Sequence, residues 1–397
     1  MKLSIKKFTV GIMLLAVIVF VMSYAVYAEY DIKILINGQE LSCNKSPVII
    51  NSSTLVPMRD IFEALGAEVS WNSPERSATG SFNGNIVTIY PDDGRFLKNG
   101  EIISLPASPC ISEGYTMIPL RAVAESFGYS VMWRGSDYTV SISTNGTMNA
   151  YFLDCGQADS IFIELPDGKC MLVDAGESSF GKELQAFINE EGYSHIDYVV
   201  ATHPHSDHIG AMAYILENFT VGKFYMPEIT HNTKTFEKML DALGVNGCEC
   251  IYISSGDFIE DTPYSIEVLS PKKDSYARMN NYSAVLKLSF NTISILLSAD
   301  AEIDVEKELV SGAVSVDADV LKVGHHGSAT SSCEEYLDSV SPRDAIISVG
   351  EGNSYGFPSV LVTNRLEKRN INIYRTDING DICMTTDGYV YVIEGER

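Results

Sequence analysis

A strand that breaks off into four chemically active side chains constrains this chain more than any other feature. Residues 196–202 read Ile-Asp-Tyr-Val-Val-Ala-Thr, an apolar run of strand length. They lead straight into His203-Pro-His205-Ser-Asp207-His208, and a helical stretch over 209–218 follows. Groups at the end of a buried strand sit on a rigid support while facing solvent. Zinc takes neutral imidazoles and carboxylates at about 2.0–2.2 Å, and four such donors within six residues can serve two adjacent ions. The chain holds only seven histidines, three of them here and two at His325-His326, so a chance gathering of loop histidines is a weak alternative.

Around this motif, apolar strands alternate with helices from Met148 onward. Strand-like runs cover 149–153, 160–165, 170–174, 264–269, 284–290, 293–298, 320–323 and 345–349, and 181–191 reads as a helix. Such punctuation predicts α/β layers of sheet and helix. Residues 31–145 are organised differently. Thr54-Leu-Val-Pro57-Met-Arg59 recurs as Thr116-Met-Ile-Pro119-Leu-Arg121, an offset that Asn37-Gly38 and Asn99-Gly100, Gly66 and Gly128, and Trp71 and Trp133 all keep. Each copy reads as a hairpin, a short amphipathic helix opened at the Pro-x-Arg, and a strand ending in Trp, so two copies pack as one small α+β domain. Thr144-Asn-Gly-Thr147 is the polar boundary between the halves.

Composition bounds what such a chain can bind. The formal charge is -24, and residues 146–397 alone carry -22, which two divalent cations would offset only in small part. A broad electropositive face for duplex DNA is not expected of such a chain. Residues 1–28, with Lys2, Lys6, Lys7, an apolar run and Val26-Tyr27-Ala28, read as an export signal, with an uncleaved anchor as the alternative. Eight scattered cysteines do not resemble a small stapled scaffold, and Cys43 with Cys110 is the pair to test for a disulfide.

The HxHxDH pattern at a strand end resembles the metallo-β-lactamase superfamily. That resemblance implies an α/β fold, an αββα metallo-β-lactamase sandwich preceded by the small duplicated α+β domain, with the hydrolase domain over 148–397. Within the superfamily the chain resembles the ComEC-type competence-protein hydrolase domain. The stretches Phe152-Leu-Asp154-Cys155-Gly156-Gln157-Ala158-Asp159-Ser160, Asn280-Asn281-Tyr-Ser283, Leu321-Lys322-Val-Gly-His325-His326-Gly-Ser328 and Asn353-Ser-Tyr355-Gly-Phe357-Pro358 carry it. Cys155 and Ala158 stand where that family has Val and Gly, Ala299 where it has Gly, and Phe357 where it has His. The duplicated segment 31–145 resembles the copper amine oxidase N-terminal-like, or stalk, domain. It contains no histidine, so an envelope-adhesion or spacer role is expected of it rather than copper binding.

By resemblance, His203 and His205 bind one metal ion, and Asp207 and His208 a second. Asp300 bridges them, and His325, favoured by position over His326, completes the set. Two divalent ions, zinc or manganese, are the implied cofactors; they would lower the pKa of a bridging water to near 7 and so supply hydroxide. Besides Asp207, the residues Asp159 and His326 are candidates for handling protons. Asn281, Ser283, Lys322, Ser328 and Asn353 are candidates for holding substrate. The expected function is a secreted or cell-surface phosphodiesterase or nuclease, its substrate a phosphodiester such as single-stranded DNA or nucleotides. The alternatives are a cell-wall teichoic acid or phosphocholine phosphodiesterase, or an envelope-binding module with a vestigial hydrolase half.

Overall fold

Along Ser160–Glu164 and Cys170–Ala175, Ile161, Ile163 and Val173 fall into one buried cluster while Phe162 and Leu172 fall into another. A strand apolar on both faces needs a covering layer on each side. The computed structural model, which describes residues 31–397, supplies both. The export signal expected over 1–28 lies outside the described residues. Among these residues, no helix is long and apolar enough to cross a membrane.

Two sheets face one another across the first cluster. One has eight strands, ordered Glu249–Tyr252, Thr220–Met226, His195–Val200, Cys170–Ala175, Ser160–Glu164, Met148–Phe152, Ile382–Thr386 and Tyr391–Gly395. The other has seven, ordered Phe258–Glu260, Ser265–Ser270, Val285–Phe290, Ile293–Leu297, Val320–Lys322, Asp344–Ile347 and Asn372–Arg375. Ile295, Leu297, Val320 and Ile346 point to the inter-sheet core, and their neighbours Leu296, Leu321, Ala345 and Ile347 point outward.

Helices seal the outward faces. Gly181–Glu190, Met212–Asn218 and Lys234–Asn246 cover the first sheet through Leu184, Ile215 and Met239. Ile303–Val310, Glu334–Val340 and Val360–Glu367 cover the second through Leu309, Leu337 and Leu366. The result is the expected helix-sheet-sheet-helix sandwich. Each such fully buried side chain contributes on the order of 1.5–3 kcal/mol.

Each sheet changes from antiparallel to parallel pairing partway across. His195–Val200 runs parallel to both Cys170–Ala175 and Thr220–Met226, and Val320–Lys322 runs parallel to both Ile293–Leu297 and Asp344–Ile347. Loops leaving the carboxyl ends of such strands are where α/β sheets build their sites. The helical stretch expected over 209–218 is two pieces, Ser206–Ile209 and Met212–Asn218. Gly210 lies between them, where a Cβ would sit 2.4 Å from the Ser206 carbonyl oxygen and 2.5 Å from the Ser178 nitrogen. Only glycine allows that approach, and it presses the turn after His208 against the loop after Asp174.

The described residues divide into two compact units. One holds Leu41–Val123 and Gly135–Thr139 with the residues up to Lys33; the other holds Ile34–Glu40, Ala124–Arg134 and Val140–Arg397. The sequence repeat is a structural repeat. Strands Val48–Ile50 and Ser53–Pro57 and helix Met58–Ala64 recur as Cys110–Ser112, Tyr115–Pro119 and Leu120–Ser126. Ser53–Pro57 pairs antiparallel with its own counterpart Tyr115–Pro119, with Val56 opposite Ile118. Asn37-Gly38 and Asn99-Gly100 both have positive φ and close tight hairpins, as Asn-Gly between strands demands. All eight cysteines are free thiols, so the Cys43 to Cys110 bridge is not formed.

Candidate metal centre

Five loops at strand carboxyl ends converge on one point. His203, His205, Asp207 and His208 follow His195–Val200, Asp174 is the penultimate residue of Cys170–Ala175, and Asp300 follows Ile293–Leu297. His325 and His326 follow Val320–Lys322, and Ser348 follows Asp344–Ile347. The backbone at this point is unusual. Asp174, Ala299, His325 and His326 all have positive φ, between 46° and 58°, a region L-residues adopt at a cost of about 1–3 kcal/mol each. Ala299 occupies its position without the freedom glycine would bring there.

Two donor sets form around Asp300. His203, His205 and Asp300 make one; Asp207, His208, Asp300 and His326 make the other. Within each, the ligand atoms lie inside 4.8 Å of one another. Nε2 of His203 is 2.9 Å from Nδ1 of His205 and 3.8 Å from Asp300 Oδ2. Nε2 of His208 is 3.3 Å from Asp300 Oδ1, and Nε2 of His326 lies 3.5 Å from Asp207 Oδ2 and 3.7 Å from Asp300 Oδ1. Among the described residues, Asp300 Oδ1, His208 Nε2 and His326 Nε2 are buried with no hydrogen-bond partner. Three orphaned polar atoms facing one another are costly unless a cation joins them. The sets fit divalent metal ions.

Electrostatics point the same way. Burial would raise the Asp207 carboxyl, but the His326 ring 3.5 Å away and the charge of His208 outweigh it and hold the group at about 2. Burial likewise opposes the charged forms of His208 and His326. The carboxylates Asp300 and Asp174 nevertheless raise His208 well above its ordinary range, and Asp300 and Asp159 push His326 up to about 10. In the absence of a metal, protons on these rings supply the positive charge the carboxylates demand. Burial pushes His203 well below its ordinary range and lowers half-buried His205, the condition in which an imidazole offers a lone pair.

Behind the donors stands a layer of fixed partners. Asp174 accepts from His208 Nδ1 at 2.6 Å, from the Thr202 hydroxyl at 2.6 Å and from the Thr202 N–H at 2.8 Å. The Ser348 carbonyl lies 3.0 Å from His326 Nδ1 and Asp159 Oδ1 3.4 Å from it. Such contacts fix which ring nitrogen faces the metal.

This arrangement corrects several expectations. His326, not His325, joins the donor set. His325 is in neither set, although its Nε2 lies 3.7 Å from Asp300 Oδ2; its ring also meets Asn280 Nδ2 at 3.3 Å, Thr330 Oγ1 at 3.3 Å and Glu302 Oε1 at 3.7 Å. Asp159 is not poised to move substrate protons, because it forms a buried ion pair with Lys322 Nζ at 2.9 Å. Lys322, fully buried, is thereby unable to reach a substrate.

Nor do the remaining substrate-holding candidates face outward. Asn281 Oδ1 accepts from the Glu302 N–H at 3.2 Å, and Ser283 Oγ accepts from the Asp300 N–H at 3.2 Å, so both position the loop carrying Asp300. Ser328 is turned to the Thr330 hydroxyl at 3.0 Å. Asn353 spends its amide on its own loop. Asp174 was missed by sequence reasoning, although an aspartate late in an apolar strand, two residues before Gly176, could have flagged it. His231, whose ring centroid is 6.2 Å from that of His205, had no such signal.

Residues 35–142 match the family model described as copper amine oxidase N-terminal domain, and residues 153–351 match that of the metallo-beta-lactamase superfamily. ComE operon protein 3 of Bacillus subtilis is 31% identical over 258 residues, 61% of this chain and 33% of that protein. Recombination protein 2 of Haemophilus influenzae is 27% identical over 235 residues, 58% of this chain and 28% of that protein. The chain thus spans about a third of the length of these curated relatives. Among solved structures, the metallo-beta-lactamase fold protein YhfI from Bacillus subtilis aligns with a TM-score of 0.41 at 12% identity, over 58% of this chain and 95% of that one.

Proposed function

The chain belongs to the metallo-beta-lactamase superfamily of metal-dependent hydrolases, and from that premise we propose that it cleaves phosphodiesters of single-stranded nucleic acid or nucleotides outside the cytoplasm. The observation that carries the reading is the pair of donor sets sharing one carboxylate, Asp300. Paired cations are the arrangement that suits in-line displacement at phosphorus. His203, His205 and Asp300 would hold one ion and Asp207, His208, Asp300 and His326 the other. Donors of nitrogen and oxygen without thiolate suit zinc or manganese. When bound, such ions supply Lewis acidity toward a water nucleophile and offset charge developing on phosphate oxygens.

The chain's own residues do the rest. Asp174 and Ser348 keep His208 and His326 in the tautomers that present Nε2. Ser283 and Asn281 anchor the backbone on either side of Asp300. One relative bears the name recombination protein, which favours a nucleic-acid substrate. The charge of -22 over residues 146–397 favours a single strand over a duplex. The N-terminal unit would act as an envelope-binding spacer.

The test is turnover of the metal-loaded protein on bis-p-nitrophenyl phosphate, single-stranded DNA, a phosphocholine ester and a cephalosporin, with His205→Ala as control. Diester and single-strand cleavage lost in the control is the expected result. Turnover of the phosphocholine ester or the cephalosporin alone would replace this reading, and no turnover together with no bound metal would leave a binding module.

A further inference from the structure

The loop after Asp344–Ile347 places two aromatic rings beside the metal centre that no step above uses. Tyr355 is 69% exposed, far more than a ring of its size usually is in a folded domain, and its phenol stacks on Phe357 with centroids 5.7 Å apart and planes 19° from parallel. Phe357 in turn meets the His325 ring edge-on, centroids 5.7 Å apart, and His325 is the neighbour of the donor His326. One face of a stacked pair is therefore presented to solvent at the rim of the site.

The pair is held rather than loose. Asn353 Oδ1 accepts from the N–H groups of both Tyr355, at 3.1 Å, and Phe357, at 3.0 Å, and Asn353 Nδ2 donates to the carbonyls of Phe357 and Gly350. Both ends of the loop are fastened to segments that flank the donors. The Gly350 N–H donates to Gln157 Oε1 at 3.2 Å, and the Ser359 N–H donates to the Gly327 carbonyl at 2.8 Å. Gly327, with φ +80°, lets Pro358 close on it, since a Cβ there would lie 2.6 Å from that of the proline. A tyrosine braced in this way loses little freedom when something stacks on it.

Resting on the phosphodiester reading, we propose that Tyr355 backed by Phe357 is a stacking platform for one nucleobase of a single-stranded nucleic acid, setting the adjoining phosphodiester over the metal centre. Every base has a π-face, and base–aromatic stacking is worth about 1–3 kcal/mol per base whatever the sequence. Stacking also needs no positive charge. It is thus a grip open to a region carrying -22, where acidic side chains far outnumber basic ones. The same chemistry accounts for phenylalanine at 357: its ring completes the stack without adding charge or a donor.

The test is equilibrium binding to the metal-loaded full chain, read by anisotropy with labelled phosphorothioate decamers that resist cleavage, one of thymidines and one abasic with the same backbone. The thymidine strand should bind more tightly than the abasic strand. Tyr355→Ala should weaken the first about 5- to 100-fold and leave the second unchanged. Tyr355→Trp should retain binding, with the new indole quenched by the base, whereas Tyr355→Leu should not. The slope of log affinity against log salt reports phosphate contacts and should be the same in the wild type and Tyr355→Ala. Equal binding of the two strands, binding of neither, or equal weakening of both by Tyr355→Ala overturns the proposal. Cleavage of ordinary single-stranded DNA is scored separately. A protein that binds by this pattern without cleaving refutes the phosphodiester reading alone, and one that cleaves with Tyr355→Ala unaffected refutes the platform alone.

Discussion

Replacing Asp174 with Asn changes no ligand yet should weaken one half of the metal centre. Asp174 Oδ2 takes both the His208 Nδ1 proton, at 2.6 Å, and the Thr202 hydroxyl, at 2.6 Å, while Oδ1 takes the Thr202 N–H at 2.8 Å. An asparagine oxygen can keep the Thr202 N–H, but its NH2 then faces His208. To accept from that NH2 the imidazole must move its proton to Nε2, the atom aimed at Asp300, where it becomes a donor and ceases to be a ligand. A hydrogen bond to a charged group contributes about 1.5–3 kcal/mol, so metal affinity should fall about 10- to 100-fold, the range found for partners of metal-bound histidines. Competition titration against a chelator at neutral pH reads that loss, and urea unfolding of the metal-free variant checks that the sandwich persists. A folded Asp174→Asn protein with wild-type affinity for both ions would refute the orienting role.

Three further outcomes follow from the same contacts. His326→Ala should lower bound metal by about one ion per chain, because Nε2 of that ring belongs to a donor set, while His325→Ala should leave stoichiometry unchanged; elemental analysis decides. Lys322→Met should destabilise the protein by about 3–5 kcal/mol at pH 7 in chemical unfolding, since it strands the buried Asp159 carboxylate. Burial would raise Asp159, but the Lys322 and His326 charges hold it well below the 3.8 of a free carboxyl. Its contribution in the wild type is therefore complete above that pH and is lost as pH falls toward the folded value. The deficit of Lys322→Met should accordingly narrow between neutral pH and pH 3.8, where an unpaired carboxyl takes a proton. Gly327→Ala meets Pro358 and forces an L-residue to φ +80°, so it should cost about 1–2 kcal/mol in thermal unfolding and reduce turnover by moving the loop of Tyr355 and Phe357.

What the sequence made legible was whatever is encoded locally. His203-x-His205-x-Asp207-His208 lies within one turn of chain, and its meaning survives without knowing where anything else packs. The repeat of Val-Pro-x-Arg with its Asn-Gly hairpins is local in the same sense, because left-handed turns and a helix start choose their own residues. The choice between His325 and His326 was not legible. Both residues take positive φ, at 48° and 52°, and two successive left-handed residues turn the chain so that the second ring, not the first, meets Asp207. Asp159 looked free to act because its partner Lys322 lies 163 residues away. Asp174 went unread because nothing within its own strand shows that His208, 34 residues on, will present Nδ1 to it. Pairings across a sandwich are set by the order of strands, and alternation of apolar residues reveals faces but not neighbours.

The pairing of Ser53–Pro57 with Tyr115–Pro119 has a consequence for how such a unit can be taken apart. Val56 and Ile118 occupy the same place in their copies and sit opposite each other, while Leu55 faces Pro119 and Pro57 faces Met117, so the pairing maps onto itself when the copies are exchanged. That is the geometry of a two-fold dimer interface, here closed by a covalent tether. A chain pared down to one copy would carry the Ser53–Pro57 edge bare, with a self-complementary register already written into it. It should recover its lost half from a second molecule, so that deleting either copy turns a self-contained pairing into an intermolecular strand exchange rather than into a smaller unit.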